Sequence, residues 1–302
     1  MPLGYSGSAV SEPTIDYALV TYVSGYWRLP LNAKRPLQHY LEQMPLSLAM
    51  IAGQPLRFFY DDTEVLEAIA PICAALAVNL RAERVPIDAL PALADADAFL
   101  HTCRAITPST VGAHHSEKGY IHHHRDFLGS GDATYRDLLA IWLSKIALTA
   151  RVAADVHDSA AYVAWMDVSV ARCNGVRSNW DFPRQTFAPS ALNHYATTMR
   201  YRGARLPLSA SFMAAAPAVW PEVARAFEAQ LLACRTDAYA HDEETVLGLV
   251  HRQRPELFHT LGLPNRLLEP APHLHTRVVR ALKRRLAGTA GTFGGSSRHD
   301  AP

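Results

Sequence analysis

No two of the four cysteines, Cys73, Cys103, Cys173 and Cys234, stand closer than 30 residues, and no Cys-x-x-Cys pair occurs. That spacing excludes a zinc ribbon and a disulfide scaffold, so reduced structural thiols are expected. Long apolar runs are missing too: no stretch approaches the roughly 18 uninterrupted apolar residues of a membrane span. The first residues, MPLGYSGSAVSEPTIDY, carry neither a basic nor an apolar block of the signal-peptide kind, so a soluble cytoplasmic chain is expected. Finally, there is no excess of charge. Against 28 acidic side chains stand 29 basic ones, which leaves no global attraction for nucleic acid, and any partner must be chosen locally.

What is present is apolar patterning. Of 302 residues, 49% are hydrophobic, enough to build the core of one large α/β domain. After a flexible leader, 1–16, the run YALVTYVSGYW (17–27) predicts a buried strand. Leu37, Tyr40, Leu41 and Met44 then repeat at helical spacing until Pro45, which is expected to end the helix. PLRFFYDD (55–62) predicts a second strand. TEVLEAIAPICAALAVNL follows as a helix kinked or broken at Pro71, and a short strand is expected near 82–87.

Residues 104–131, with five histidines and four glycines in GAHHSEKGYIHHHRDFLGSG, show no sustained period and predict a long loop. Asp132 is placed to cap the strongly patterned helix ATYRDLLAIWLSKIALTARVAADV. Strands are expected over 162–170 and 206–217, and helices over Pro221–Cys234 and Asp242–Arg254. The Gly/Ser-rich tail 288–302 predicts disorder. Strands alternating with helices imply a single α/β domain, 17–287, with a mostly parallel central sheet flanked by helices. Ligands on such sheets bind beyond the carboxyl ends of the strands.

Several side chains break these patterns. Asp167 follows an apolar strand, where a carboxylate either binds a divalent cation on a diphosphate or simply caps a turn. Lys145 interrupts the apolar stripe of Leu138, Trp142, Thr149 and Val152. It needs an anionic partner, a phosphate or Asp167, unless its ammonium snorkels to water. Asp61 and Asp62 close a strand, where an acid binds a ribose hydroxyl or makes a turn. HDEETVL (241–247) puts Asp242, Glu243 and Glu244 at a helix start, a place the macrodipole favours for acids with or without chemistry. His122, His123 and His124 are consecutive and would point apart, which suits a mobile loop better than a metal site. RVVRALKRR (277–285) permits peripheral contact with an anionic membrane.

The blocks TYVSGYW, PLRFFYDD, LSKIAL, YVAWMDVSV, SASFMAA, HDEETVL and RPELFH, in that order over roughly 17–262, resemble the bacterial HtrL/YibB-like family, regarded as glycosyltransferases of the GT-A fold. The resemblance implies transfer of a sugar from a nucleotide diphosphate sugar, UDP-linked, to a hydroxyl of a glycan or other acceptor, in surface glycan or glycoconjugate synthesis. It implies that Thr21 and Tyr22, the loop after them, Asp61 and Asp62 contact the donor's nucleoside, while Lys145 approaches its diphosphate or sugar. Asp167 looks like the first acid of a DxD motif for Mn or Mg, with His259 as a further ligand. Ser169 stands where the second acid belongs, which puts metal dependence in question. Ser209, Ser211 and Phe212 would line the acceptor side, and Asp242 or Glu243 would supply the base. Two alternatives come from other classes. One is a nonenzymatic nucleotide- or glycan-binding protein with a degenerate metal site; the other is a metal-dependent hydrolase using the His-rich loop.

Overall fold

The computed structural model describes residues 19–29, 37–105, 118–173, 186–197, 199–236 and 242–262. The expected leader 1–16, the basic segment 277–285 and the tail 288–302 lie outside the described residues. The strands are β1 (Val20–Tyr26), β2 (Pro55–Tyr60), β3 (Asn79–Arg84), β4 (Tyr162–Met166), β5 (Leu192–Tyr195), β6 (Arg200–Tyr201), β7 (Ala204–Arg205), β8 (Ser209–Ala215) and β9 (Phe258–Gly262). The helices are α1 (Leu37–Ala49), α2 (Thr63–Ala75), α3 (Leu93–Arg104), α4 (Lys118–Ile121), α5 (Leu128–Ser130), α6 (Asp132–Asp155), α7 (Trp220–Cys234) and α8 (Glu243–Gln253).

Seven strands form one sheet in the order β3-β2-β1-β4-β8-β5-β9, and β6 and β7 make a separate small ribbon. β1 pairs in parallel with β2 and β4, β2 with β3, and β5 with β9; β8 runs antiparallel between β4 and β5. The result is a mixed α/β domain with a mostly parallel sheet flanked by helices, compatible with a GT-A-like fold. Because the central strands are covered on both faces, they are apolar at successive positions rather than at alternate ones. In β4, Val163 and Trp165 enter one buried cluster, with α6 and α7, while Ala164 and Met166 enter the other, with α1 and α2.

Helix ends depart from the expectations. Pro45 and Pro71 lie inside α1 and α2 rather than ending them. Each proline removes one backbone hydrogen bond, but burial of Met44, Ser47 and Leu48 in α1, and of Ile69 and Cys73 in α2, holds the helices across the gap. The loop expected over 104–131 is corrected in its second part: α4, a π-helical stretch His122–Phe127, and α5 run without interruption. The expected short strand near 82–87 is β3, shifted towards the amino terminus. α3, β5 and β9 were not anticipated.

Among the described residues, no helix is long and apolar enough to cross a membrane.

Candidate active site

β4 ends at Met166, so Asp167 stands at the carboxyl edge of the parallel strands. Its backbone N–H donates to the Ser211 carbonyl at 2.9 Å, which ties it to the start of antiparallel β8. Its Oδ1 accepts from Trp165 Nε1 at 2.9 Å and from Lys145 Nζ at 2.8 Å. α6 carries Lys145 across from this edge, buried to 5% exposure. The ammonium also donates to Glu243 Oε1 at 2.5 Å and lies 5.6 Å from the centre of the Trp165 ring. Burial alone would lower the Lys145 pKa, and the two carboxylates more than reverse that, so the lysine stays charged. Glu243 goes the other way. Burial raises its pKa, Lys145 pulls it back, and the charges of Asp242 and Glu244 push it up again, to about 7.

A second group adjoins the first. Asp242 is the N-cap of α8: its Oδ1 accepts from Thr245 N at 2.8 Å, and Thr245 Oγ1 returns a contact to the Asp242 backbone N–H at 3.3 Å. Its Oδ2 receives Lys118 Nζ and His122 Nε2, each at 2.7 Å. His122 Nδ1 faces Asp126 Oδ2 at 2.9 Å. Both ring nitrogens therefore meet carboxylates, which requires an N–H on each. Burial lowers the His122 pKa, and Asp242 and Asp126 raise it further than burial lowers it. Burial would raise the Asp242 pKa, but Lys118 and His122 hold it well below the usual carboxylate range. Lys118 also pairs with Glu244 Oε2 at 2.5 Å, and Glu244 Oε1 accepts from Ser209 Oγ and Ala210 N, both at 3.1 Å.

Two cavities open here and share Trp142, Lys145 and Asp167. One, about 210 Å³, is lined by these charged groups and by Ser211. The other, about 90 Å³, is the aromatic cavity: Tyr26, Trp27, Tyr40 and Trp165 line it besides Trp142, among aliphatic neighbours such as Leu138 and Ile141. Arg28, next to Trp27, lines a third with Asp61, Asp62 and Arg84.

No family model matches this chain, and no curated protein matches it. A solved structure of a transferase mutant with two cysteine-to-serine changes is similar at a TM-score of 0.35 and 13% identity, covering 80% of this chain and 89% of that one. So distant a likeness carries no argument about function.

The structure brings together Lys145, Asp167, Asp242, Glu243, Ser209 and Ser211. It places Asp61 and Asp62 at the end of β2, where Asp62 caps α2 through Glu64 N at 2.9 Å and pairs with Arg28. Thr21 lies at the opposite, amino edge of β1, in a separate cavity with Arg57 and Arg81. Tyr22 and Phe212 are core residues, 0% and 1% exposed. His259 is not near Asp167: it pairs with Asn193 on β5 and lies three strands from β4, roughly 14 Å by the usual strand spacing. Among the described residues, no group of three or more His, Cys, Asp and Glu side chains is arranged to hold a metal ion. Asp167 Oδ1 is occupied by an ammonium and an indole N–H, so these residues do not fit the expected Mn or Mg site.

Sequence reasoning missed Lys118, His122, Glu244 and Trp142 as parts of this site. For His122 the only signal was composition, because a π-helical turn is not visible in the apolar period.

Proposed function

We propose that the protein is a transferase that moves a sugar from a nucleotide diphosphate sugar to an acceptor hydroxyl. The observation that carries the reading is Lys145, buried between Asp167 and Glu243 at the carboxyl edge of the sheet, where an aromatic cavity meets a charged one. The aromatic cavity suits the flat base of a nucleoside, with the Arg28 and Asp61–Asp62 corner beside it for ribose. Lys145 sits where negative charge develops on the departing diphosphate and offsets it. The bond from the anomeric carbon to the diphosphate oxygen breaks with its electron pair on the leaving group, and the bond to the acceptor oxygen forms.

Glu243, rather than Asp242, is the base that takes the acceptor proton. Both oxygens of Asp242 are engaged and its pKa is depressed, whereas Glu243 Oε2 has no partner among the described residues and its pKa is poised near neutrality. The test is a panel of UDP-, GDP- and dTDP-sugars with mixed glycan acceptors, read by nucleoside diphosphate release. Release from one donor, lost in Lys145→Met, supports the reading. Tight donor binding without release would make this a nonenzymatic binding protein instead.

A further inference from the structure

Four of the five tryptophans fall among the described residues, and three of them spend their indole N–H inside the protein. Trp27 donates to the Val85 carbonyl at 2.8 Å, Trp165 to Asp167 Oδ1 at 2.9 Å and Trp220 to the Val163 carbonyl at 3.0 Å. Trp142 donates to no described group. It is half-buried, it lies one helical turn before Lys145 on α6, and it forms the wall shared by the aromatic and the charged cavities. Its ring packs against the His122 ring, with centroids 5.1 Å apart, so its orientation is supported from the side of the π-helical stretch His122–Phe127. A large half-buried ring that lines two cavities and keeps its N–H unspent on any described group is suited to a ligand that uses both ring and donor.

We propose that Trp142 is the platform for the transferred sugar of the donor, stacking on the C–H face of the hexose and donating its N–H to one of the ring's hydroxyls. The inference rests on the proposed transferase reading and adds the residue that distinguishes a nucleotide sugar from the bare nucleotide. Position decides between sugar and base. Trp142 lines both cavities with Lys145 and Asp167, where the diphosphate and the anomeric carbon would lie, whereas Tyr26, Trp27 and Tyr40 line the aromatic cavity and not the charged one. A hexose, apolar on one face and hydroxylated at its rim, matches an indole beside charged groups.

The experiment is calorimetric titration of the wild type, Trp142→Phe and Trp142→Ala with UDP, GDP and dTDP and with their hexose and N-acetylhexosamine conjugates. Melting curves of all three proteins accompany it. For the donor that the wild type prefers, the bare nucleotide should bind all three proteins within about twofold. Removing the N–H in Trp142→Phe should weaken the nucleotide sugar about tenfold, the scale of one hydrogen bond, and Trp142→Ala should weaken it further. Trp142→Phe alone decides the matter should the alanine variant fail to fold. A wild type that binds nucleotide sugars, with variants that keep the same ratio of sugar-bearing to bare nucleotide affinity, overturns the role of Trp142 and leaves the transferase reading standing. A wild type that binds no member of the panel overturns both.

Discussion

Asp242 and Glu243 are chain neighbours with the same functional group, yet their surroundings give them opposite acidities. Asp242 faces an ammonium, an imidazole and a backbone N–H, so its charge is stabilised. A depressed carboxyl contributes stability that is present above its unfolded value and lost as pH falls through its folded one. Asp242→Asn leaves Lys118 and His122 short of a partner and should cost roughly 3–5 kcal/mol at pH 7, read by denaturant melts, as removal of one member of a buried ion pair does. Glu243 has the opposite sign. Its pKa is raised, so its contribution is full below the ordinary carboxylate range and is lost as pH rises through about 7. Glu243→Gln should therefore be at least as stable as the wild type at pH 8. In transfer assays it should fall about a hundredfold or more, the usual contribution of a positioned base. The wild-type rate should climb through about pH 7, and the variant should lack that limb. Wild-type rates in Glu243→Gln would remove it from the catalytic role.

At the scale of elements, the histidine-rich segment is a strap rather than a loop. It is pinned to the start of α8 by Lys118 and His122, and it forms one side of the charged cleft. The groups facing His122 are Asp126 on the strap, Asp242 at the start of α8, Lys118 on α4 and Trp142 on α6. A histidine of raised pKa contributes stability that is complete below its unfolded value, near 6.5, and is lost as pH rises through its folded one. Amide exchange over residues 118–130, corrected for intrinsic rates, should quicken above that range in the wild type and be insensitive to pH in His122→Asn. Equal pH dependence in both would show that His122 is not the latch. A second element-level constraint is Gly25 in β1. A Cβ there would stand 2.6 Å from two atoms of the Trp27 ring and 3.1 Å from the Phe59 carbonyl. Trp27 is held by its bond to Val85 and cannot swing freely, so Gly25→Ala should cost roughly 1–3 kcal/mol as an overpacked position does. It should also weaken nucleotide binding by reshaping the aromatic cavity.

Across the whole molecule, the sheet order puts the end of β4 and the start of β8 side by side and brings α6 and α8 over them, so residues 145, 167, 211 and 243 meet although nearly 100 positions separate the first from the last. A donor that binds only this assembled form stabilises it by mass action, about 2.7 kcal/mol at 100 times its dissociation constant. In a thermal-shift screen one class of nucleotide sugar should raise the midpoint. Manganese should add nothing to that shift, because an ammonium already occupies the carboxylate expected to hold the ion. A shift that requires manganese, and disappears on chelation, would restore the metal site.

The sequence by itself determined the class of fold and most of its central elements. Continuous apolar runs marked β1, β2, β4 and β8, and helical periodicity marked α6, α7 and α8, because burial on two faces makes a strand apolar throughout and burial on one side writes a period into a helix. It also singled out Lys145, which interrupts an apolar stripe, Asp167, which ends an apolar run, and Asp242 and Glu243, which stand at a helix start. It could not say that Lys145 serves both Asp167 and Glu243, that Asp242 is a cap while its neighbour faces the cleft, or that His259 lies strands away. Nor did it reveal the short strands β5 and β9 or the helical strap. Those depend on strand order, on a π-helical turn and on which oxygen meets which donor. They are properties of contacts between distant segments, to which local hydropathy is blind, and only the tertiary structure decides them.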